Sequence, residues 1–443
     1  MRRRSPLRPV LLLLPLLVGG CGIGNWWGDP EDPPLPGERQ PVLLLETGLE
    51  PDPTLAAAPL RLPAPQTNDA WPQVGGSPTH TLLHVALGPS PRRAWSANVG
   101  RGDGTTSRLL GPPIVDGGLV FAADANANVS AFRLETGERV WRRSFRLNSD
   151  RRFGAGLAAG GGGLFVATAT GEVAALEAAA GTVIWSAELG VPVRAAPTLA
   201  GRVVLVTSAD NQTFALDAVD GTLLWVHQGF AELSAIFGGA SPATAGSAVI
   251  AAYSSGEVFG LVLDNGGAAW LDSIRRPRRT TALSSIVDIR AAPVIDPEGR
   301  VIVAGHGGEI AAIDIPTGQR VWDQRLTTTE TPWVTPAAVF VVTTEAQVAA
   351  LDAATGRVRW VTQLDRFRRP DNVESGRITY TAPVLAGGRV LVVGSEGNLV
   401  SLDPSTGAVI ETAEVARNVT LPPAVARGTL ILLDGQGRLH AYR

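Results

Sequence analysis

The sequence predicts an all-β fold: a single eight-bladed β-propeller of four-stranded blades. Three observations predict it. A turn followed by a tryptophan recurs at the length of one blade, short β-branched runs precede each copy, and the two ends of the repeating region are complementary parts of one further copy.

The repeat reads Leu-Asp-x-x-Thr-Gly-x-x-x-Trp in its fullest form. Its glycines stand at Gly137, Gly181, Gly221, Gly266, Gly318, Gly356 and Gly407. Six of them are followed four residues later by Trp141, Trp185, Trp225, Trp270, Trp322 and Trp360; after Gly407 the position holds Glu411. The gaps between the glycines average 45 residues, which accommodates four short strands and their turns. Each copy opens with a small residue and a proline, as at Ala196-Pro197, Ser241-Pro242, Ala292-Pro293, Thr335-Pro336, Ala382-Pro383 and Pro422-Pro423. Two apolar runs follow, such as Val203–Val206 and Thr213–Leu216, bounded by Gly, Asp and Asn, which is strand punctuation. No stretch beyond the N-terminal leader carries a helical period.

The last copy runs from Pro423 to Arg443 without a tryptophan strand, whereas Arg93–Val99, with Trp95, is such a strand with no copy before it. Pairing the two closes the ring and removes two sheet edges that would invite aggregation. Trp95, Trp141, Trp185, Trp225, Trp270, Trp322 and Trp360 are therefore expected as structural residues that fill the gaps between blades, not as cofactor-stacking residues.

Ahead of the repeats lie two segments of different character. Residues 1–20 read as an export signal, with Arg2, Arg3, Arg4 and Arg8 before an apolar run from Val10 to Val18 and small residues up to Cys21. Nine residues are too few to cross a bilayer, which takes about 20. Cys21 is the only cysteine, and its place resembles the lipobox of bacterial lipoproteins, which implies lipidation there; the alternative is an ordinary signal peptide with an incidental cysteine. Residues 21–68 are proline-rich and are expected as a semi-rigid tether, with Val42–Leu45 as a short apolar stretch that either docks or does not. Residues 69–443 are assigned to the propeller. Removing the four leader arginines takes the net charge from −3 to −7, and a mildly acidic mature chain argues against nucleic acid as a partner.

The Leu-Asp-x-x-Thr-Gly-x-x-x-Trp unit resembles the PQQ-type propeller repeat. With the lipobox and the tether, the chain is similar to the BamB family, lipoprotein subunits of the outer-membrane β-barrel assembly machine. The resemblance implies a non-catalytic scaffold without a cofactor. It would be a monomer within a hetero-complex, lipid-anchored to the periplasmic face of the outer membrane. It also implies a BamA-like barrel subunit as partner. In that family a loop Leu-Ser-Leu-Arg-Gly-Glu-Ser-Ala-Pro and a segment Asp-Val-Asp-Thr-Thr-Pro carry the contacts to that partner. Here the corresponding segments are Ser234–Pro242 and Asp288–Pro293. The resemblance thus points to Leu233, Ile236, Phe237, Asp288 and Arg290 as partner-binding residues. Ile236 and Asp288 keep the family's chemistry, while Ser234, Phe237 and Arg290 depart from its leucine, arginine and second acid.

No catalytic or metal constellation stands out. His80 and His84 have an i, i+4 spacing but no acidic third ligand, and His227, His306 and His440 are scattered. Gly160–Gly163 reads as a wide turn. Two arginine clusters, Arg275–Arg279 and Arg366–Arg369, are the local charge extremes, either solvated loops or rim contacts to an acidic partner or lipid headgroups. Two other functions fit the same fold: a PQQ-dependent dehydrogenase, which would need a quinone, a calcium site and a catalytic acid, and a propeller that senses a small ligand in its central channel.

Overall fold

The computed structural model describes residues 49–56, 59–145, 152–230, 238–274 and 288–443. Eight four-stranded antiparallel sheets lie within them, and they form an eight-bladed β-propeller. Blade 1 consists of Ile114–Asp116, Leu119–Ala123, Asn128–Arg133 and Arg139–Ser144. Blades 2 to 7 begin with Ala155–Gly160, Thr198–Ala200, Ala243–Ala245, Val294–Ile295, Trp333–Val334 and Val384–Ala386. The expected opening of blade 6 at Thr335-Pro336 falls instead in the turn after its first strand, and Pro332 holds the opening position. Pro332 and Pro336 stand four residues apart and are alike in sequence, and only the pairing of Trp333 with Phe340 separates them.

The first strands of neighbouring blades approach one another and ring the centre, while the fourth strands form the rim. The middle strands are apolar throughout (Val204, Leu205 and Val206 are all buried) because both faces of each sheet are covered by a neighbouring blade. The rim strands expose about every other residue.

Blade 8 joins both ends of the repeat region. Ala424–Ala426, Thr429–Leu433 and Arg438–Tyr442 supply three strands, and Arg93–Asn98 supplies the rim strand, antiparallel, with Ser96 opposite His440 and Asn98 opposite Arg438. Arg92 and Arg443 exchange both backbone hydrogen bonds beyond the strand end, at 2.6 and 2.9 Å.

Each rim tryptophan latches its blade to the next. The indole Nε1 of Trp95, Trp141, Trp185, Trp225, Trp270, Trp322 and Trp360 donates to a turn carbonyl of the following blade, at 2.6 to 3.0 Å. Beneath each ring lies that turn's glycine, with φ between 68° and 76°. A Cβ on these glycines would come within 2.4 to 2.7 Å of the indole. The glycine is thus required twice, for its left-handed backbone and for the close approach. A β-bulge just ahead of the tryptophan recurs in the rim pairing, as where Ala215 faces Trp225 but Leu216 faces Leu223. Glu411 occupies the same register in blade 7 and is exposed. It has no turn to dock on, because the rim strand of blade 8 comes from residues 93–98 and no turn joins it to Arg438–Tyr442.

Residues 68–85 make a full circuit of the channel. Asn68 bonds the first strand of blade 8 through Val425 O, Trp71 pairs with Val115 of blade 1, and Pro72 O accepts from Ala159 N of blade 2. Gln73 Oε1 accepts from Leu199 N of blade 3, Pro78 O from Thr244 N of blade 4 and Thr79 O from Ile295 N of blade 5. Thr81 Oγ1 donates to Val334 O of blade 6, and Val85 N donates to Leu385 O of blade 7. The indoles of Trp71 and Trp333 stack at 5.8 Å. The central strands of a propeller leave backbone groups facing the channel, and this segment satisfies one in every blade.

Part of the stretch expected as tether also lies on the propeller. Asp52 N donates to Val358 O at the rim of blade 6, Asp52 and Thr54 bond the Arg357 guanidinium, and Pro63 O accepts from His84 Nδ1. Proline prevents ladder formation but not single hydrogen bonds to a neighbouring surface.

Two tests follow from this packing. Trp225→Ala should cost about 3–5 kcal/mol of stability. Gly266→Ala should also destabilise, but in the Trp225→Ala background only the backbone strain of about 1–2 kcal/mol should remain. Urea titration of the four proteins measures this coupling. His80 is fully buried, its Nδ1 donates to Pro293 O at 2.7 Å, and burial lowers its pKa from 6.5 to about 4. The unfolded chain therefore takes up the proton first. This residue should cost nothing above pH 6.5 and progressively destabilise the fold as pH falls towards 4, by about 3 kcal/mol in all. His80→Gln should flatten that part of the stability–pH curve relative to the unsubstituted protein.

Candidate partner-binding site at the channel mouth

The plug divides the propeller into two unlike ends. In each blade the rim strand ends, and the next blade's first strand begins, on the same face. These strand ends surround a mouth of about 700 Å³ whose floor includes Val74 of the plug. The opposite face carries the turns between the first and second and between the third and fourth strands of each blade, and it receives residues 49–56.

The mouth is lined largely by small residues, among them Ala195, Ala196, Gly238, Gly239, Ser241 and Ala292. Its charged groups are Asp103, Arg108, Arg194, Arg290 and Glu330. Arg194 is buried, and its Nη2 donates to both carboxylate oxygens of Asp288, at 2.9 and 3.1 Å, while its Nε donates to Gly238 O at 2.8 Å. Arg290 is 30% exposed and lies 3.5 Å from Glu330. Burial pushes the Glu330 carboxyl above the usual carboxylate range, against the pull of Arg290.

The residues singled out from sequence separate into three groups. Leu233, Ile236 and Phe237 lie outside the described residues, as do Cys21, Val42–Leu45 and the Arg275–Arg279 cluster. Arg290 lines the mouth. Asp288 does not: its side chain is fully buried beneath Arg194, because a carboxylate at that depth is retained only when paired. In this structure the Asp288 side chain holds a cation that does line the mouth. Sequence reasoning missed Arg194. The available signal was a second Arg-Ala-Ala-Pro, at 194–197, matching the one at 290–293 and setting both arginines at the same point of the repeat.

The remaining candidates have local partners. His84 donates from Nδ1 to Pro63 O and accepts at Nε2 from Gly388 N, which pins the N-terminal segment to blade 7. His80 and His84 sit on no helix and share no ligand site. Arg366 precedes and Arg368 lies within a short hairpin of Phe367–Arg369 and Asn372–Arg377, and they pair with Glu345 and Glu396 respectively. Among the described residues no three His, Cys, Asp or Glu are gathered to hold a metal ion. With Asp288 tied to Arg194 and Glu330 beside Arg290, the groups present do not fit a calcium-bound quinone.

A family model described as "Outer membrane protein assembly factor BamB" matches residues 125–362, and one described as "Glucose/ethanol/alcohol dehydrogenase, beta-propeller domain" matches residues 323–427. The outer membrane protein assembly factor BamB of Xanthomonas campestris pv. campestris is 31% identical over 359 residues, spanning 79% of this chain and 85% of that protein. That of Escherichia coli is 28% identical over 361 residues, 80% of this chain and 88% of that protein. Among solved structures, BamB from Moraxella catarrhalis matches with a TM-score of 0.67 at 20% identity, covering 80% of this chain and 99% of that one. A europium-containing methanol dehydrogenase matches with 0.66 at 15% identity, over 82% and 89%. Identities this low in the two structures speak for the shared propeller alone. The match of the assembly-factor model to more than half of the chain, with a relative above 30% identity across most of both lengths, shows that the chain belongs to the BamB family.

Proposed function

We propose that this protein is a non-catalytic subunit of an outer-membrane β-barrel assembly complex. It docks on the periplasmic region of a BamA-like barrel subunit and supports insertion of outer-membrane proteins. Family membership across the propeller is the observation that carries this reading. The arrangement of the two faces supports it. Residues 49–56 lie on the face opposite the mouth. The connections around it are long enough to make a specific surface, and propellers bind proteins through such loops. A lipid on Cys21 would hold the protein at the periplasmic face of the outer membrane, several acyl chains giving a stable anchor.

Pull-down from detergent-solubilised outer membranes with the mature lipid-free chain (residues 22–443) as bait should recover the barrel-assembly subunits. A folded bait that recovers none would overturn the reading. In cells, Cys21→Ser should abolish incorporation of labelled palmitate and release the protein from the outer-membrane fraction; retention of the label would place the acylation elsewhere.

A further inference from the structure

Arg194 and Arg290 occupy the same point of the repeat in blades 3 and 5, on either side of blade 4. The equivalent residue of blade 4 is Gly239, and a Cβ there would come 2.5 Å from Arg194 Nε. Arg194 therefore reaches across the entrance of blade 4, where a side chain would block it. Arg290 arrives from the other side: its Nε is 3.2 Å from where a Cβ on Gly238 would sit. Both guanidiniums thus converge on the Gly238–Gly239 backbone.

Two cations drawn together in this way need compensation. Asp288 supplies it for Arg194 on one edge only, through Nη2. Arg194 Nη1 is buried with no hydrogen-bond partner among the described residues. A buried donor left unmade is costly, so the site lacks an acceptor. Arg290 has Glu330 at 3.5 Å, longer than a good charge-assisted bond, and that carboxyl is itself disfavoured by burial. The other charged groups of the mouth are engaged on the blade 1 side: Asp103 accepts from Leu109 N at 2.8 Å, and Arg108 donates to Gly104 O and Ser107 O.

We propose that Arg194 and Arg290 form a receptor for a carboxylate on an acidic side chain of the partner that docks on this face. The proposal rests on the docking reading given above and names the chemistry of its centre. Paired guanidiniums suit a carboxylate because each offers a planar fork of donors. The mouth's volume and its lining of Ala, Gly and Ser let a protein segment enter far enough to reach them. Asp288 is a positioning residue that locks the Arg194 fork before the partner arrives.

The test is calorimetric titration of the mature chain (residues 22–443) with the purified periplasmic region of the barrel subunit from the same organism. Arg290→Gln and Arg290→Glu should weaken binding by about tenfold or more, and Arg290→Lys by less. Arg194→Ala would leave Asp288 buried without its cation and could unfold the site, so Arg194→Lys is used, with its melting curve compared to that of the unsubstituted protein. It should keep the fold and weaken binding. An Asp→Arg or Glu→Arg change in the partner that restores the affinity of Arg290→Glu would identify the carboxylate. Unsubstituted protein that binds, with folded arginine variants that bind equally well, overturns the receptor and leaves the docking reading intact. Folded unsubstituted protein that does not bind overturns the docking reading itself. A melting-temperature rise with sodium glutamate alone, lost in Arg290→Gln while partner binding is unchanged, would reassign the site to a free small anion and overturn its role in docking.

Discussion

Closure of the ring is the constraint on which the rest of this structure depends. Each blade buries both faces against neighbours, so a ring with one open seam would expose two apolar sheet faces at once. The chain meets this by lending Arg93–Asn98 to the C-terminal blade. The same choice explains Glu411: the only seam without a connecting turn is the one where a tryptophan would have nothing to rest on. The break in the repeat is therefore a consequence of how the ring is shut.

A second layer of closure runs through the centre. The eight first strands present backbone groups to a channel too wide for them to pair with one another. Residues 68–85 visit them in ring order and end beside the blade from which they set out. The plug also gives the molecule its polarity. Residues 68–85 occupy the channel, and a mouth opens on the face where each rim strand ends.

At the open end, burial decides which charges are available. Asp288 and Arg290 are two residues apart, yet one is fully buried and the other is partly exposed. The buried acid contributes by fixing Arg194, and the cation it fixes lies at the mouth. The glycines at 238 and 239 belong to the same arrangement, since a side chain at 239 would collide with Arg194 and one at 238 would crowd Arg290.

The number of blades, their four-stranded composition and the exchange of the end strand were legible in the sequence, because the turn glycine and the rim tryptophan are local signals repeated at a fixed spacing. The tryptophan's place between blades followed from the same repetition. The plug was not legible: residues 68–85 have no period of their own, and their order is imposed by the eight strands around them. Nor was the sixth blade's true opening, since Pro332 and Pro336 look alike until the strands pair. The chemistry of the mouth divides in the same way. Sequence could mark Asp288 and Arg290 as charged residues near a blade opening. Only the tertiary structure could bury one, expose the other and bring Arg194 across from a different blade. Charge is a property of a residue, but its availability is set by depth and by neighbours far away in the chain.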